Sequence, residues 1–347
     1  MLRANIHLFL LIAASSSFLL LVYHLGPQPV FNSHMVISST TTPLTDILNY
    51  SACNPTTSFY YSNQEDCSLP YVTMNAGGRL GNKLCQYMSL VLLRKTFGVR
   101  AAMLEKMNSS LSPHFPQLSL PVEDGKCFPG YTTQDIYHNL YMKLVNSSRL
   151  WPYNQLYHYP LNASVYVLNN PCPIHLLEPL REHLRRELAF REDIIKKAKQ
   201  NLDKAVKSLR LNTTENITVI TVHVRRTDHI DFMINKFKIQ PLTKIYFQRA
   251  FNIIRKTVAH PVFVVSSDDR GWCLSNIMDK DVVFAGGADP VTDMALMTLG
   301  DHHVITYGTY GFVGAFLGRG TIFFPKNKDF LEFPCFNSTI VHLVDRF

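Results

Sequence analysis

The 347-residue chain lacks the short signatures of the commonest nucleotide and hydrolase chemistries. There is no G-x-x-x-x-G-K-S/T loop, no H-E-x-x-H and no G-x-S-x-G, which excludes a P-loop site, a helix-borne zinc protease and a serine nucleophile elbow. The glycine turn G-G-R-L-G-N at 77–82 misses the G-x-G-x-x-G spacing, so a nicotinamide or flavin fingerprint is absent too. None of the seven cysteines (Cys53, Cys67, Cys85, Cys127, Cys172, Cys273, Cys335) forms a C-x-x-C pair. That argues against zinc and fits a few disulfides in an oxidising compartment, with the odd count leaving at least one thiol unpaired. D-x-D occurs once, at Asp279-Lys280-Asp281, ahead of a predicted strand, and reads as a surface turn, not a metal site.

Charge is sparse at 17%, against 46% hydrophobic residues, enough apolar material for one large or two ordinary domains. The net charge of +8 is spread along the chain. Its densest basic run, Arg181 to Lys207, is interleaved with acids, the pattern of a solvated helix face, so no nucleic-acid partner is expected.

Near the N-terminus a largely apolar run from Ile6 to Tyr23 is just long enough, at about 18 residues, to cross a bilayer. Its length, Arg3 on the short side and the lack of a small-x-small site favour an uncleaved anchor with a lumenal body over a cleaved signal peptide. Sequons at Asn49, Asn108, Asn146, Asn162, Asn212, Asn216 and Asn337 agree with that placing, whereas Asn54 is disqualified by Pro55. The expected organisation is a cytosolic tail 1–5, an anchor 6–23, a Ser/Thr/Pro/Asn-rich stem 24–66, an N-terminal lobe with a bridging helix 67–210, and a C-terminal lobe 211–347.

In the N-terminal lobe, Y-V-T-M-N-A reads as a strand, followed by the glycine turn and an apolar helix. Residues 100–175 are loop-rich and carry no assignable order. Leu184, Leu188, Ile195 and Ala198 then recur at helical spacing. The last third alternates: strands at I-T-V-I-T-V-H-V, P-V-F-V-V-S-S, D-V-V-F-A-G, H-H-V-I-T-Y and T-I-F-F-P are separated by helical stretches. Such alternation predicts an α/β fold with a parallel sheet covered on both faces, whose ligands bind beyond the carboxyl ends of the strands.

Three polar clusters fall at those ends: H-V-R-R-T-D (His223 to Asp228), S-S-D-D (Ser266 to Asp269) and T-Y-G-T-Y-G (Thr306 to Gly311). Arginines supply planar, permanently charged donors for phosphate, and Gly308, Thr309 and Gly311 supply amides and a helix N-terminus. A carboxylate suits sugar hydroxyls or a guanine edge. Taken singly, the arginines could pair with Asp228 and S-S-D-D could cap a helix; their shared position describes a nucleotide diphosphate pocket.

The ordered motifs G-R-L-G-N-K with an apolar helix, H-V-R-R with Asp228, P-V-F-V-V-S-S-D-D followed by W-C, and D-M-A-L-M-T-L-G-D-H-H-V-I-T-Y-G-T-Y-G-F-V-G-A-F-L resemble those of the alpha-1,2-fucosyltransferases that act on galactosides, over roughly residues 70–330. The resemblance implies an α/β fold of GT-B type, two Rossmann-like lobes, with the C-terminal sheet binding the nucleotide sugar. It also implies GDP-β-L-fucose as donor substrate, no other cofactor, no required divalent metal, and a Golgi-anchored type II protein acting on glycans of glycoproteins or glycolipids. A homodimer stays open as an assembly.

Carried over, Arg225 grips the β-phosphate while Arg226 and Asp228 shape its loop. Thr309 and Tyr310 hold the diphosphate, Asp268 and Asp269 approach the guanosine, and His223 lines the pocket. Gly78, Arg79, Gly81 and Asn82 form the opposite wall near the fucose. Arg225, Asn82 and Asp228 are the expected catalytic residues, with Asp228 the candidate general base. Lys83 stands where the family has Gln, and Thr227 where it has Gly, as in the alpha-1,6-fucosyltransferases, which bears on acceptor choice. An alpha-1,6 or other linkage, and a non-catalytic lumenal glycan-binding or chaperone module, are the competing expectations.

Overall fold

The computed structural model describes residues 71–98, 100–123, 165–167, 172, 177–209, 216–287, 289–326 and 339–347; the expected tail, anchor and stem lie outside them. Among the described residues no helix is long and apolar enough to cross a membrane.

The N-terminal lobe starts with β1 (Tyr71–Met74), buried along its whole length, as a strand covered on both faces must be. Helix α1 (Leu80–Phe97) follows, with Leu84, Cys85, Tyr87, Met88, Leu90 and Val91 wholly buried. It is buried nearly all round, so its run of apolar residues shows no single stripe. Gly98, at φ 63°, ends it by donating to Arg94 O at 3.0 Å, a left-handed cap that glycine adopts at little cost. Short elements come next: β2 (Arg100–Ala101), β3 (Met103–Leu104), α2 (Glu105–Leu111), β4 (Val122–Glu123) and β5 (Val165–Val167). A three-stranded parallel sheet of order β2-β1-β5 and a β3-β4 pair result. A disulfide joins Cys85 on α1 to Cys172.

The predicted bridging helix is broken. A 3-10 turn (Glu178–Leu180) leads into α3 (Arg181–Glu187), and α4 (Glu192–Ser208) starts after a gap, packing on the C-terminal lobe against the sheet and α8 (Pro290–Thr298).

The C-terminal sheet is parallel throughout, of order β11-β10-β9-β6-β7-β8. Its strands are β6 (Thr218–Val224), β7 (Pro261–Ser267), β8 (Val282–Phe284), β9 (His302–Ile305), β10 (Ile322–Pro325) and β11 (Val341–Val344). The helices between them are α5 (Thr227–Phe237), α6 (Lys244–Thr257), α7 (Arg270–Asn276), α8 and α9 (Thr309–Leu317). The alternation read from the sequence is present, with two additions, β11 and α5. Helix α5 follows the two arginines at once, its apolar Ile230, Met233 and Ile234 spaced as a helix needs and Lys238 ending it at φ 57°.

Candidate active site

The connection after β6 leads to β7 on one side, whereas that after β9 leads to β10 on the other. The chain therefore diverges at the carboxyl ends of β6 and β9, the topological switch point where open α/β sheets bind ligands. There the Arg225 amide donates to Thr306 Oγ1 at 2.9 Å, joining the two strand ends. An open recess lies here, lined by Arg225, His229, Leu242, Phe247, Thr306 and Tyr307 among others.

Arg225 and Arg226 fill the two-residue turn between β6 and α5, so a rigid strand aims both. Arg225 pairs with Asp228 and Asp268, and donates to Thr227 Oγ1 at 3.0 Å. Arg226 lies 4.0 Å over the Trp272 ring, contacts Asp269 at 3.3 Å and donates to Leu242 O at 3.3 Å. Asp268 also accepts the Arg226 amide at 2.8 Å, and Asp269 caps α7 by accepting from Trp272 N at 3.0 Å. The S-S-D-D carboxylates thus hold the arginines, and one of them does cap a helix. A diphosphate approaching Arg225 would exchange one anionic partner for another. Asp228 is engaged by Arg225 and, at 3.1 Å, by Arg79. Burial pulls its carboxyl upward, but Arg225, Thr227 and Arg79 together hold it below the usual aspartate range.

Helix α9 opens at the same crevice. Gly308 precedes it at φ 116°, and no side chain caps its first amides. The N-terminal lobe meets it there: Thr309 Oγ1 donates to Asn82 Oδ1 at 2.6 Å, and a Cβ added at Gly81 would lie 2.6 Å from Tyr310 N. Only glycine allows this approach of α1 to α9. Gly78, at φ 77°, shapes the turn into α1, and Arg79 reaches Asp228 across the lobes. The N-termini of α1 and α9 and three arginines thus converge with Asp228, Asp268 and Asp269, and an anion binding there would take over donors that these carboxylates hold.

His223 lies behind it, 6% exposed, its ring 5.0 Å from that of Tyr310. Its Nδ1 finds no partner among the described residues, and neither does Nε2 of His229. Burial, then Arg225 and His229, push His223 down to about 3; burial and Arg225 push His229 down to about 4. Both imidazoles are neutral at physiological pH.

All twelve expected residues therefore lie at this rim between the lobes. Sequence reasoning missed Thr306 as the link between strands, His229, and Asp293. The Asp293 carboxylate accepts from Gly287 N at 2.6 Å, and its pKa is raised by burial. It opens the D-M-A-L-M-T-L-G motif, but as a single acid in the first turn of an apolar helix it suggested no role of its own. Asp279 and Asp281 both bind Arg255, at 2.9 and 2.5 Å. Lys83 donates to Ser110 Oγ at 2.7 Å within its own lobe, and Thr227 bonds to Arg225 and Asp268.

A two-lobed α/β protein with an anion-accepting crevice between its lobes has the GT-B arrangement of nucleotide-sugar transferases. The chain belongs to glycosyl transferase family 11, whose sequence pattern matches residues 50–332. It is 32% identical over 260 residues to the galactoside 2-alpha-L-fucosyltransferase SEC1 of Bos taurus, covering 74% of this chain and 66% of that protein, just under two thirds of its length. It is 33% identical to the galactoside alpha-(1,2)-fucosyltransferase 2 of Oryctolagus cuniculus, with coverages of 74% and 69%. Among solved structures it is similar to a point mutant of Arabidopsis thaliana FUT1 in complex with GDP, at 11% identity and a TM-score of 0.45, over 79% of this chain and 73% of that one. The fold itself is read from the chain's own sheets.

Proposed function

We propose that the protein is an inverting fucosyltransferase that moves L-fucose from GDP-β-L-fucose to the 2-hydroxyl of a terminal galactoside. Family membership and the names of its relatives support the donor and the acceptor class. The observation that carries the reading is the bond from the Arg225 amide to Thr306 at the switch point, which brings Arg225 to the segment that leads into the uncapped N-terminus of α9.

The acceptor oxygen attacks fucose C1 from the face opposite GDP, the C1–O bond to the β-phosphate breaks, and the acceptor proton passes to a base. The sugar becomes oxocarbenium-like while the diphosphate gains negative charge. Fixed donors aimed at that charge lower the barrier. Arg225 and the α9 amides supply them, with Thr309 held by Asn82. Asp228 is placed as the base, although its pairing with Arg225 and Arg79 keeps it a weak one until the diphosphate draws Arg225 away. The half-buried Asp293 is placed to meet the purine edge. Because Arg225 and the amides neutralise the leaving group, the reading assigns no divalent ion to the step.

The Cys85–Cys172 disulfide, together with the sequons and the run Ile6 to Tyr23, supports a lumenal, Golgi-anchored type II body. Thr227 bonds to Asp268 on the donor side, and Lys83 to Ser110 on α2. The test is incubation with GDP-fucose and a panel of terminal galactosides and N-glycans, followed by linkage analysis. Fucose on the galactose 2-hydroxyl is expected; fucose on the innermost N-acetylglucosamine, or no transfer to any acceptor, would reject it.

A further inference from the structure

Arg181 on α3 is 9% exposed and directs its whole guanidinium at the far end of α9. Its Nε donates to Phe316 O at 2.8 Å, Nη1 to Gly320 O at 3.2 Å, and Nη2 to Ala315 O at 3.3 Å and Gly318 O at 3.0 Å. Arg185, one turn on, adds a bond from Nε to Leu317 O at 3.0 Å. The carbonyls of Phe316, Leu317 and Gly318 close the helix, and buried without donors they would be orphans. Two guanidinium groups also neutralise the negative pole of α9, whose positive pole faces the crevice.

Helix α3 is itself fixed to α1. The buried Glu187 carboxylate accepts from the Tyr87 hydroxyl, from Ser119 N at 3.0 Å and from the Ser119 hydroxyl, and meets His183 Nε2 at 2.9 Å. Helix α1 returns to the other end of α9 through Gly81 and Asn82. The three helices form a closed loop spanning both lobes, with α9 gripped at each end.

We infer that Arg181 is a positioning residue for the nucleotide. It sits about 13 Å from the crevice, the length of a nine-residue helix, and sets where the first amides of α9 stand relative to Arg225. The inference rests on the donor reading above. It is tested by calorimetry with GDP and by donor and acceptor kinetics on the wild type, Arg181→Met, Arg181→Lys, Arg185→Met and the control Arg255→Met, which removes an ion-pair cluster remote from α9.

Arg181→Met should weaken GDP at least tenfold and raise the donor KM to match, leaving the acceptor KM within twofold. Arg181→Lys, a point charge that reaches fewer carbonyls, should recover part of the loss, and Arg255→Met should leave donor KM unchanged. Unchanged GDP affinity in Arg181→Met, or equal rises in both KM values there and in Arg255→Met, would overturn the inference. If Arg181→Met does not fold, Arg185→Met decides: a two- to threefold rise in donor KM alone supports it, and no rise overturns it. A wild type that binds no GDP would instead sink the donor reading itself.

Discussion

In the C-terminal lobe β6 and β7 pair in register over seven residues each, inside a six-stranded sheet. In the N-terminal lobe β1 has four residues and its neighbours β2 and β5 have two and three. The larger sheet is held by its own ladder and by helices on both faces. The smaller one leans on α1, on the Cys85–Cys172 bridge and on the Glu187 network. The C-terminal lobe brings the N-termini of α5, α7 and α9 to its strand ends, and the N-terminal lobe brings that of α1. Among the described residues, one lobe thus aims charge from a long-stranded sheet, and the other closes the site from short strands braced by a helix and a disulfide.

The largest expected effect tests the first half of that contrast. Arg225→Ala should lower kcat about 100- to 1000-fold, as loss of a fixed transition-state donor does, with secretion of the truncated body intact. Retention of most activity in a steady-state transfer assay would break the assignment of charge to the C-terminal sheet.

The next probes the N-terminal platform. Replacing Cys85 and Cys172 together by serine should cost about 2–5 kcal/mol. In urea denaturation with limited proteolysis, cuts should appear first in α1, while fragments spanning β6 to β10 persist; simultaneous loss of both would show that the lobes share one stability.

A pH series separates the lobes by the range over which each loses stability on acidification. In the C-terminal lobe His223 and His303 are both pushed from 6.5 to about 3, chiefly by burial. His303 is locked neutral: Thr221 Oγ1 lies 2.6 Å from Nδ1, and Nε2 lies 2.9 Å from Arg319 O. The unfolded chain protonates these histidines first, so below about pH 6.5 each should remove about 1.4 kcal/mol of stability per pH unit. Glu187 in the N-terminal lobe loses its contribution in the same direction but over a lower range. Burial raises its pKa, but bonds from His183, Ser119 and Tyr87 bring it from 4.5 down to about 2. Its contribution is present above 4.5 and is lost only as pH falls toward 2. Hydrogen exchange between pH 7 and 5 should therefore show β6 and β9 opening before α1; α1 opening first would reverse the comparison.

The smallest expected effect is none: a chelator should leave transfer rates within experimental error. Loss of activity restored by manganese would shift charge neutralisation from Arg225 to a metal.

How much of this was legible depends on the range of the interaction concerned. The strand P-V-F-V-V-S-S was readable to the residue, because β-branched runs and their breakers act locally. Helix α5 was not, because its first turn also reads as the tail of the H-V-R-R-T-D motif and its apolar positions are few. Strands of two or three residues such as β2 carry too little pattern to be seen at all. For the site, the arginines and the T-Y-G-T-Y-G turn were visible as charge and glycine placed at strand ends. No role could be read for Asp293, although it opens a quoted motif, or for His229, since only burial makes a helical acid or an ordinary histidine unusual.

Sequence alone determined the alternation of elements, the side of the sheet on which chemistry collects, and the family resemblance carried by ordered motifs. Those follow from periodicity and from residue types whose conformational limits are intrinsic. Only the tertiary structure decided that S-S-D-D carboxylates hold the arginines, that Asn82 meets Thr309, and that Arg181 caps the helix whose other end faces the crevice. Those pairings join residues 42, 227 and 135 positions apart, and nothing in the local chain encodes which distant partner will satisfy a buried charge or carbonyl.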